Sequence, residues 1–581
     1  MMRTRVVRTG MAVAAAIALI SCGGGGGGDD DPAPLPEPPP APTPEPEPVA
    51  VAKCTELNGV QIAPIDIALG TRGATVASTE LVAAAGQGAA AHGEYCKVLA
   101  SIAPIDPSAP PIRFQLNLPT EWNGKALMQG GGGYNGSIPN TTVGYASAAI
   151  DQPTALGRGY ATFSSDSGHS GVNRQDGRFG MNDEALNNFA ADALKKTRDA
   201  AMQLIARRYD RMPERSYFVG GSTGGREALA VVQRWPEDFD GAISIFPAWN
   251  AATLDLFFGV VTQRLAQPGG YLNVAKQKLV YDRVMTACDL GDGVRDGLIG
   301  NLQACNFDVQ TLRCADGVDT GDSCLSDAQI ASVRAYNEPA SFNYLASGET
   351  GYPGFPVLAG ADMRGPLALN TAQPTNPSDQ PLQVGDPASQ QPYFSVFWEQ
   401  FVKYFVARDP AYNYLTLNPQ NPPAARRDRI STLSAIMDVN RTDLTAFDAK
   451  GGKLLMVHGM ADALVSHRST IEYYDRVVAT MGQQRVDNFV RFYTVPGYGH
   501  VFGAFMLSWD SLTALENWVE QGTAPTGQIA TDANAATFGR TRPLCEYPSF
   551  PQYNGAGAVD LAASFSCATY TPPAPAPAPV N

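Results

Sequence analysis

Ser222 stands in Gly220-Gly221-Ser222-Thr223-Gly224, between the strand-like Ser216-Tyr217-Phe218-Val219 and the helix-like run Arg226 to Val232. A serine between glycines at a strand-to-helix junction is the nucleophile elbow, a turn too tight for flanking side chains that lifts the hydroxyl above the sheet edge. The following helix points its positive end at the same place. The competing reading is a glycine-rich surface turn. A serine hydroxyl is too weak an acid to attack an ester unaided; it needs an imidazole base and a carboxylate that orients the base. The chain has five histidines, His92, His169, His458, His467 and His500. His500 closes Pro496-Gly497-Tyr498-Gly499-His500, directly after a strand-like run ending at Val495, and Asp462 follows another that ends at His458. Both fall at carboxyl ends of strands, where parallel sheets build their sites, and the order Ser, Asp, His suits an esterase-type triad. The rival role for Asp462 is a helix N-cap. Backbone donors for an oxyanion are expected from Thr223 and from the run Gly130 to Gly133, with Gly132 as the chosen donor.

These residues need a parallel sheet to position them. Ile112 to Leu118, Lys125 to Gln129, Tyr160 to Phe163, Ser216 to Val219 and Ala242 to Phe246 read as strands, with one amphipathic helix expected over Leu186 to Tyr209. Strand and helix alternate with short links, which implies a parallel α/β arrangement. The rhythm breaks from about Trp249 to Thr445, a stretch rich in Gly, Pro and Asn that reads as an irregular insertion. It returns with strands Lys453 to His458 and Phe489 to Val495 and helices Ser469 to Met481 and Ser511 to Gln521. The expected architecture is an α/β-hydrolase fold in two parts, 51–248 and 446–570, interrupted by a large lid, 249–445.

Arg3, Arg5 and Arg8 precede an apolar run, Met11 to Ile20, too short to span a bilayer. Leu19-Ile20-Ser21-Cys22 resembles a lipobox, so 1–22 reads as a lipoprotein-type signal with Cys22 acylated, ordinary signal-peptide cleavage being the alternative. Residues 23–50 form a Gly/Pro-rich linker and 571–581 a Pro-rich tail. The expected location is outside the cytoplasm, lipid-anchored to an outer membrane or cell surface, or else periplasmic or secreted. A net charge of −14 argues against nucleic acid as partner. Of nine cysteines, all but Cys22 remain to pair in an exported chain. Spacing favours neighbours: Cys54 with Cys96, Cys288 with Cys305, Cys314 with Cys324, and Cys545 with Cys567. A zinc site is the weaker alternative, because CxxC spacing is absent. Asp289, Asp292 and Asp296, among glycines, form an oxygen-rich loop suited to Ca²⁺, though its spacing is not that of an EF-hand.

The glycine run within Gly130 to Gly136, Ser165-Asp166-Ser167-Gly168-His169, the serine elbow, the acidic loop after Cys288, Val457-His458-Gly459 with Asp462, and Gly497-Tyr498-Gly499-His500 together resemble the tannase and feruloyl esterase family, which includes mono(2-hydroxyethyl) terephthalate hydrolase. The resemblance spans about Cys54 to Cys567. It implies a serine carboxylic-ester hydrolase for aromatic acids, acting as a monomer on small esters without an organic cofactor. It also implies a structural Ca²⁺ held by the carboxylates of Asp289, Asp292 and Asp296 and the carbonyls of Val294 and Leu298. By the same resemblance, Trp398 and Tyr412 wall the acyl group, Arg408 grips a distal carboxylate and His458 lies near the acyl pocket. Arg408 paired to an acid in ordinary lid packing is the alternative. One departure is plain: the family's cysteine pair beside the nucleophile and the histidine is here Gly221 and Val501. Aliphatic or polymer-derived esters are a second substrate class, and a surface-anchored binding protein with a degenerate site is the reading from another class.

Overall fold

A computed structural model describes residues 53–345, 347–369 and 391–570. Cys22, the linker 23–50 and the tail 571–581 lie outside them.

The central sheet is built from β1 (Gln61–Ile62), β2 (Ala74–Val82), β3 (Tyr95–Ile102), β4 (Ile112–Pro119), β5 (Lys125–Gln129), β6 (Ala161–Ser165), β7 (Arg215–Gly221), β8 (Gly241–Ile245), β9 (Lys453–Gly459) and β10 (Val490–Val495). Their order is β1-β2-β3-β4-β6-β5-β7-β8-β9-β10. From β6 to β10 every neighbouring pair is parallel, while β1 to β4 form an antiparallel flank that joins β6 antiparallel. Strands β6 and β8 are buried along their whole length, as parallel strands covered on both faces must be. Helices α1 (Ala193–Tyr209) and α2 (Thr223–Arg234) pack on the sheet through Leu204, Ile205, Leu229 and Val232.

The single helix expected over Leu186 to Tyr209 is instead broken. A short turn of helix, Asp183–Asn187, capped by Asn182, leads into a wide turn, Asn188–Asp192, before α1 begins. The reason is Arg226 of α2, fully buried, whose guanidinium donates to the carbonyls of Phe189 at 2.8 Å and Ala190 at 3.0 Å. A wide turn frees carbonyls that a regular ladder would consume.

The insertion is helical where the sequence suggested irregular chain. It contains α3 (Ala251–Leu265), α4 (Tyr393–Gln400) and the further helices Val274–Cys288, Asp327–Asn337 and Ala424–Met437. Their apolar faces share a core of their own, with Phe257, Phe258, Trp398, Phe401 and Phe405 at its centre. The chain leaves the sheet at Trp249 and returns at Val439, whose N–H donates to the Trp249 carbonyl at 2.7 Å. All four expected disulfides are present: Cys54–Cys96, Cys288–Cys305, Cys314–Cys324 and Cys545–Cys567. Among the described residues no helix is long and apolar enough to cross a membrane.

Candidate active site

Ser222 occupies the corner between β7 and α2 with φ 62° and ψ −121°, a left-handed conformation that a non-glycine residue holds only where its surroundings enforce it. Its N–H donates to Ile245 O at 3.0 Å, and its carbonyl accepts from Arg226 N at 3.0 Å and Ala248 N at 3.1 Å. Gly220 is a steric requirement of the backbone, whereas Gly221 makes room for a side chain. A Cβ on Gly220 would lie 2.4 Å from Gly224 O, and one on Gly221 would lie 2.7 Å from Cε2 of Phe246.

Across the sheet edge, His500 Nδ1 donates to Asp462 Oδ2 at 2.7 Å. Asp462 Oδ1 accepts from the N–H groups of Leu464 at 2.8 Å and Val465 at 2.9 Å. Burial alone would raise this carboxyl, but the imidazoles of His500 and His458 override it and hold Asp462 well below the usual carboxylate range. His458, fully buried, sits 3.4 Å from Asp462 and is locked between the Thr470 hydroxyl and the Val465 carbonyl, each at 2.8 Å. It therefore backs the acid. The Phe246 ring packs against the imidazole of His500 at 4.5 Å between centroids and against the Gly221 backbone. An aromatic edge thus occupies the space beside Gly221, while Val501 takes a left-handed φ of 59° beyond His500. No hydrogen bond joins the Ser222 hydroxyl to the imidazole in this conformation; in unliganded sites such bonds commonly tighten only with substrate.

Glu227, one helical turn into α2, organises the glycine run. Its Oε2 accepts from Gly131 N at 2.8 Å and its Oε1 from Asn135 Nδ2 at 2.7 Å. Thr223 Oγ1 donates to Gly133 O at 2.6 Å. Among the described residues, no chain acceptor takes the N–H of Gly132 or of Thr223. Both donors are therefore unclaimed, as an oxyanion site needs.

Ser222 and Thr223 open onto a cavity whose other walls include Tyr134, Phe189, Leu254, Asp255, Phe258, Phe397, Leu464 and Val465. A second cavity, lined by His500, Asp362, Leu367, Phe502 and again Leu464, adjoins the imidazole. The expected lid residues are placed elsewhere. Trp398 is fully buried in the lid core, its ring against Gly259 of α3. Its neighbour Phe397 faces the cavity, because one step along a helix turns the side chain by roughly 100°. The Arg408 guanidinium is bound to Asp183 at the end of the wide turn Phe401–Ala407, and Tyr412 lies under Arg426 at 5.3 Å. Neither Arg408, Tyr412 nor His458 borders the cavity. Tyr134, Asp255, Phe397 and Glu227 went unread in the sequence, although Tyr134 directly follows the glycine run and Glu227 belongs to the elbow helix.

In the acidic loop, burial and the neighbouring Asp296 push the Asp292 carboxyl up to about 7. Asp289 accepts from Gly297 N, and Asp296 from Leu298 N at 3.0 Å. Mutually repelling acids, with no chain donor on the carbonyls of Val294 and Leu298 among the described residues, suit a hard cation in kind. In convergence they do not: Asp296 is drawn to Arg542, and among the described residues no three acidic, His or Cys side chains close to metal-ligand distances.

The tannase and feruloyl esterase model matches residues 96–568. The chain belongs to this family. A mono(2-hydroxyethyl) terephthalate hydrolase of Piscinibacter sakaiensis is 31% identical over 548 residues, covering 85% of this chain and 88% of that one. An uncharacterised esterase of Agrobacterium fabrum is 40% identical over 529 residues, 89% of this chain and 93% of its own. The crystal structure of feruloyl esterase B from Aspergillus oryzae superposes with a TM-score of 0.71 at 24% identity, over 86% of this chain and 98% of that one, a likeness of fold. As a member of the tannase and feruloyl esterase family, the chain is a carboxylic-ester hydrolase on an α/β-hydrolase fold.

Proposed function

We propose that this hydrolase cleaves esters of aromatic carboxylic acids through an acyl-enzyme on Ser222. The observation that carries the reading is the His500–Asp462 bond of 2.7 Å, with His500 on a cavity that shares Leu464 with the aromatic-walled cavity onto which Ser222 opens. Ser222 Oγ attacks the ester carbonyl while His500 Nε2 takes its proton. Asp462, held ionised, fixes the imidazole through Nδ1–H and stabilises its positive charge. The N–H groups of Thr223 and Gly132 hold the oxyanion. The tetrahedral intermediate collapses, His500 returns the proton to the departing alcohol, and water repeats the sequence to free the acid. The acyl ring lies in the cavity of Tyr134 and Phe397, and the alcohol leaves along the cavity beside His500. The relatives' names, terephthalate monoester hydrolase and feruloyl esterase, support the aromatic acyl class. A fluorophosphonate probe should label the wild-type protein and not Ser222→Ala, and an aryl-against-alkyl ester panel should favour aryl acyl groups; preference for alkyl acyl groups would overturn the assignment.

The proposal extends to a structural Ca²⁺ in the acidic loop, with oxygens from Asp289, Asp292, Val294, Asp296 and Leu298. Its supports are the mutual repulsion of the carboxylates and the free carbonyls; its requirement is that Asp296 turn from Arg542. Bound ion would add stability by linkage and leave the ester chemistry untouched. A melting temperature unmoved by chelation and by added calcium rejects it. Four disulfides are the chemistry of an exported chain. Acylation at Cys22 is tested by metabolic labelling with a fatty acid, lost in Cys22→Ala.

A further inference from the structure

His500 is held by two contacts of different kinds. Its Nδ1 donates to Asp462 Oδ2 at 2.7 Å, and its ring lies against that of Phe246, 4.5 Å between centroids and 49° between planes. The second torsion of a histidine side chain is broad and roughly two-fold. One hydrogen bond at an edge therefore leaves the ring free to tilt, whereas a packed face does not. The loop itself gives little help. Gly497, Gly499 and Gly503 lie on either side of His500, and Val501 next to it has a left-handed φ of 59°.

Phe246 reaches this place against the rule of its strand. Along β8 alternate residues face opposite sides of the sheet: Ala242 packs into one core cluster, Ile243 and Ile245 into another. Phe246, next in line for the side of Ala242, packs instead with Ile243 and Ile245. Its φ of 34° makes the turn, a left-handed value that a bulky residue holds only under constraint. The backbone supplies that constraint. Phe246 N–H donates to Val457 O on β9 at 2.7 Å, and its neighbours clamp the nucleophile: Ile245 O accepts from Ser222 N at 3.0 Å, and Ala248 N donates to Ser222 O at 3.1 Å. The segment Ile245 to Ala248 thus grips Ser222 on both sides, is bonded to the strand that leads to Asp462, and lays one ring against His500 and Gly221. That ring is 1% exposed and borders neither the cavity beside Ser222 nor the one beside His500.

From this geometry we infer that Phe246 is a positioning residue for the general base: its ring fixes the tilt of the His500 imidazole and couples that tilt to the segment that holds Ser222. The assignment rests on the triad reading and adds to it a residue that touches no substrate. Burial alone gives no reason for the left-handed backbone, since the alternation of β8 would bury the ring on the other face of the sheet. Placement of the base gives one, because a reacting group displaced by about 1 Å loses on the order of a hundredfold in rate.

The test sets Phe246→Ala beside Phe246→Leu. The alanine variant should lose up to about a hundredfold in kcat, and leucine, which keeps bulk without the flat face, should regain part of it. Acylation and deacylation both use His500, so KM should hold. The loss should be the same factor for aryl and alkyl esters, because Phe246 lines neither cavity. Adding Gly221→Ala to Phe246→Ala should cost little more, since the ring is what the new Cβ meets at 2.7 Å. A reading without turnover comes from NMR of histidine-labelled Ser222→Ala protein. The Nδ1 proton of His500 should be sharp with Phe246 present and broaden when alanine replaces it, at a temperature where the protein is folded. Should Phe246→Ala fail to fold, the leucine variant carries the same readings. A loss confined to one ester class, or kcat and the resonance both unmoved while His500→Ala is inactive, overturns the positioning role alone. Near-normal turnover in His500→Ala would instead overturn the triad reading on which it rests.

Discussion

Two buried aspartates stand near the site, one behind the catalytic histidine and one on the wall of the cavity beside Ser222, and their surroundings push them in opposite directions. Asp462, on the sheet side, has two backbone N–H donors and two imidazoles around it and is held ionised. Asp255, on the lid side, accepts from one tyrosine hydroxyl and lies near a second acid, and burial with that acid pushes its carboxyl well above the usual range. Residue type and burial are the same; the difference lies in how many donors the backbone brings. The sheet wall is a polar frame fixed by strand ends and tight turns, whereas the lid wall is a packed aromatic surface with one polar point. A strand-end frame rich in donors favours the charged carboxylate, and a packed helical lid disfavours it.

Breaking the sheet wall should have the largest consequences. Ser222→Ala and His500→Ala should each lower kcat by several orders of magnitude, roughly 10⁴-fold or more, with Asp462→Ala the mildest of the three. Steady-state kinetics on an aryl ester checks this, and near-normal turnover in His500→Ala would falsify the frame as drawn. Glu227→Gln probes the same wall one step back. It keeps shape but can no longer accept from both Gly131 and Asn135, so kcat should fall about tenfold or more through the oxyanion donors while KM changes little. A larger change in KM than in kcat would place Glu227 in binding.

Gly221→Ala tests the aromatic contact where the family carries a disulfide. The added Cβ would meet Phe246 at 2.7 Å, and the displaced ring would press on His500. A several-fold loss of kcat is expected, with little loss of melting temperature. Full activity would show that Phe246 and His500 move independently. For the same reason Gly221→Cys with Val501→Cys should stay unpaired until Phe246 is also truncated, as thiol titration of folded protein would show.

The smallest effect concerns pH and separates the walls. Asp438 anchors the start of α3, accepting from Ala252 N at 2.9 Å, and burial, with the acid Glu349 nearby, pushes its carboxyl up to about 7. A raised carboxyl stabilises the fold fully below its ordinary value near 4, and that contribution is lost as pH rises through about 7. Asp462, depressed, has the opposite sign: its contribution is present above the ordinary value and lost only in acid. Melting temperature should therefore decline modestly from about pH 5 to 7.5 in the wild type, and less in Asp438→Asn. An identical decline in both would assign the slope to other groups.

The sheet wall was legible in the sequence because its geometry demands particular residues. Only glycine tolerates the backbone contact at Gly220, and the acid and histidine had to follow strands. The lid wall was not, because packing accepts many apolar residues and the face of α4 depends on one residue of phase: Trp398 was expected where Phe397 lies. The break before α1 depends on Arg226, far along the chain, and no local pattern announces it. Strand β3 alternates Val98, Ala100 and Ile102 inward, a readable signal that went unread, whereas β1, only two residues long, offers almost none. The capping box of Ser326 and Gln329 likewise marked a lid helix in a stretch taken as irregular.

The bond from Val439 N–H to the Trp249 carbonyl pinches the insertion shut at its base. Everything between these residues is, to the sheet, a single closed loop, and the entropy of closing a loop grows only with the logarithm of its length. Such a loop can lengthen, shrink or be replaced without disturbing strand register. An esterase lineage could therefore exchange its acyl preference as a graftable cassette, inheriting the reacting frame unchanged, and a chimera cut at Trp249 and Val439 is the natural unit of transplantation.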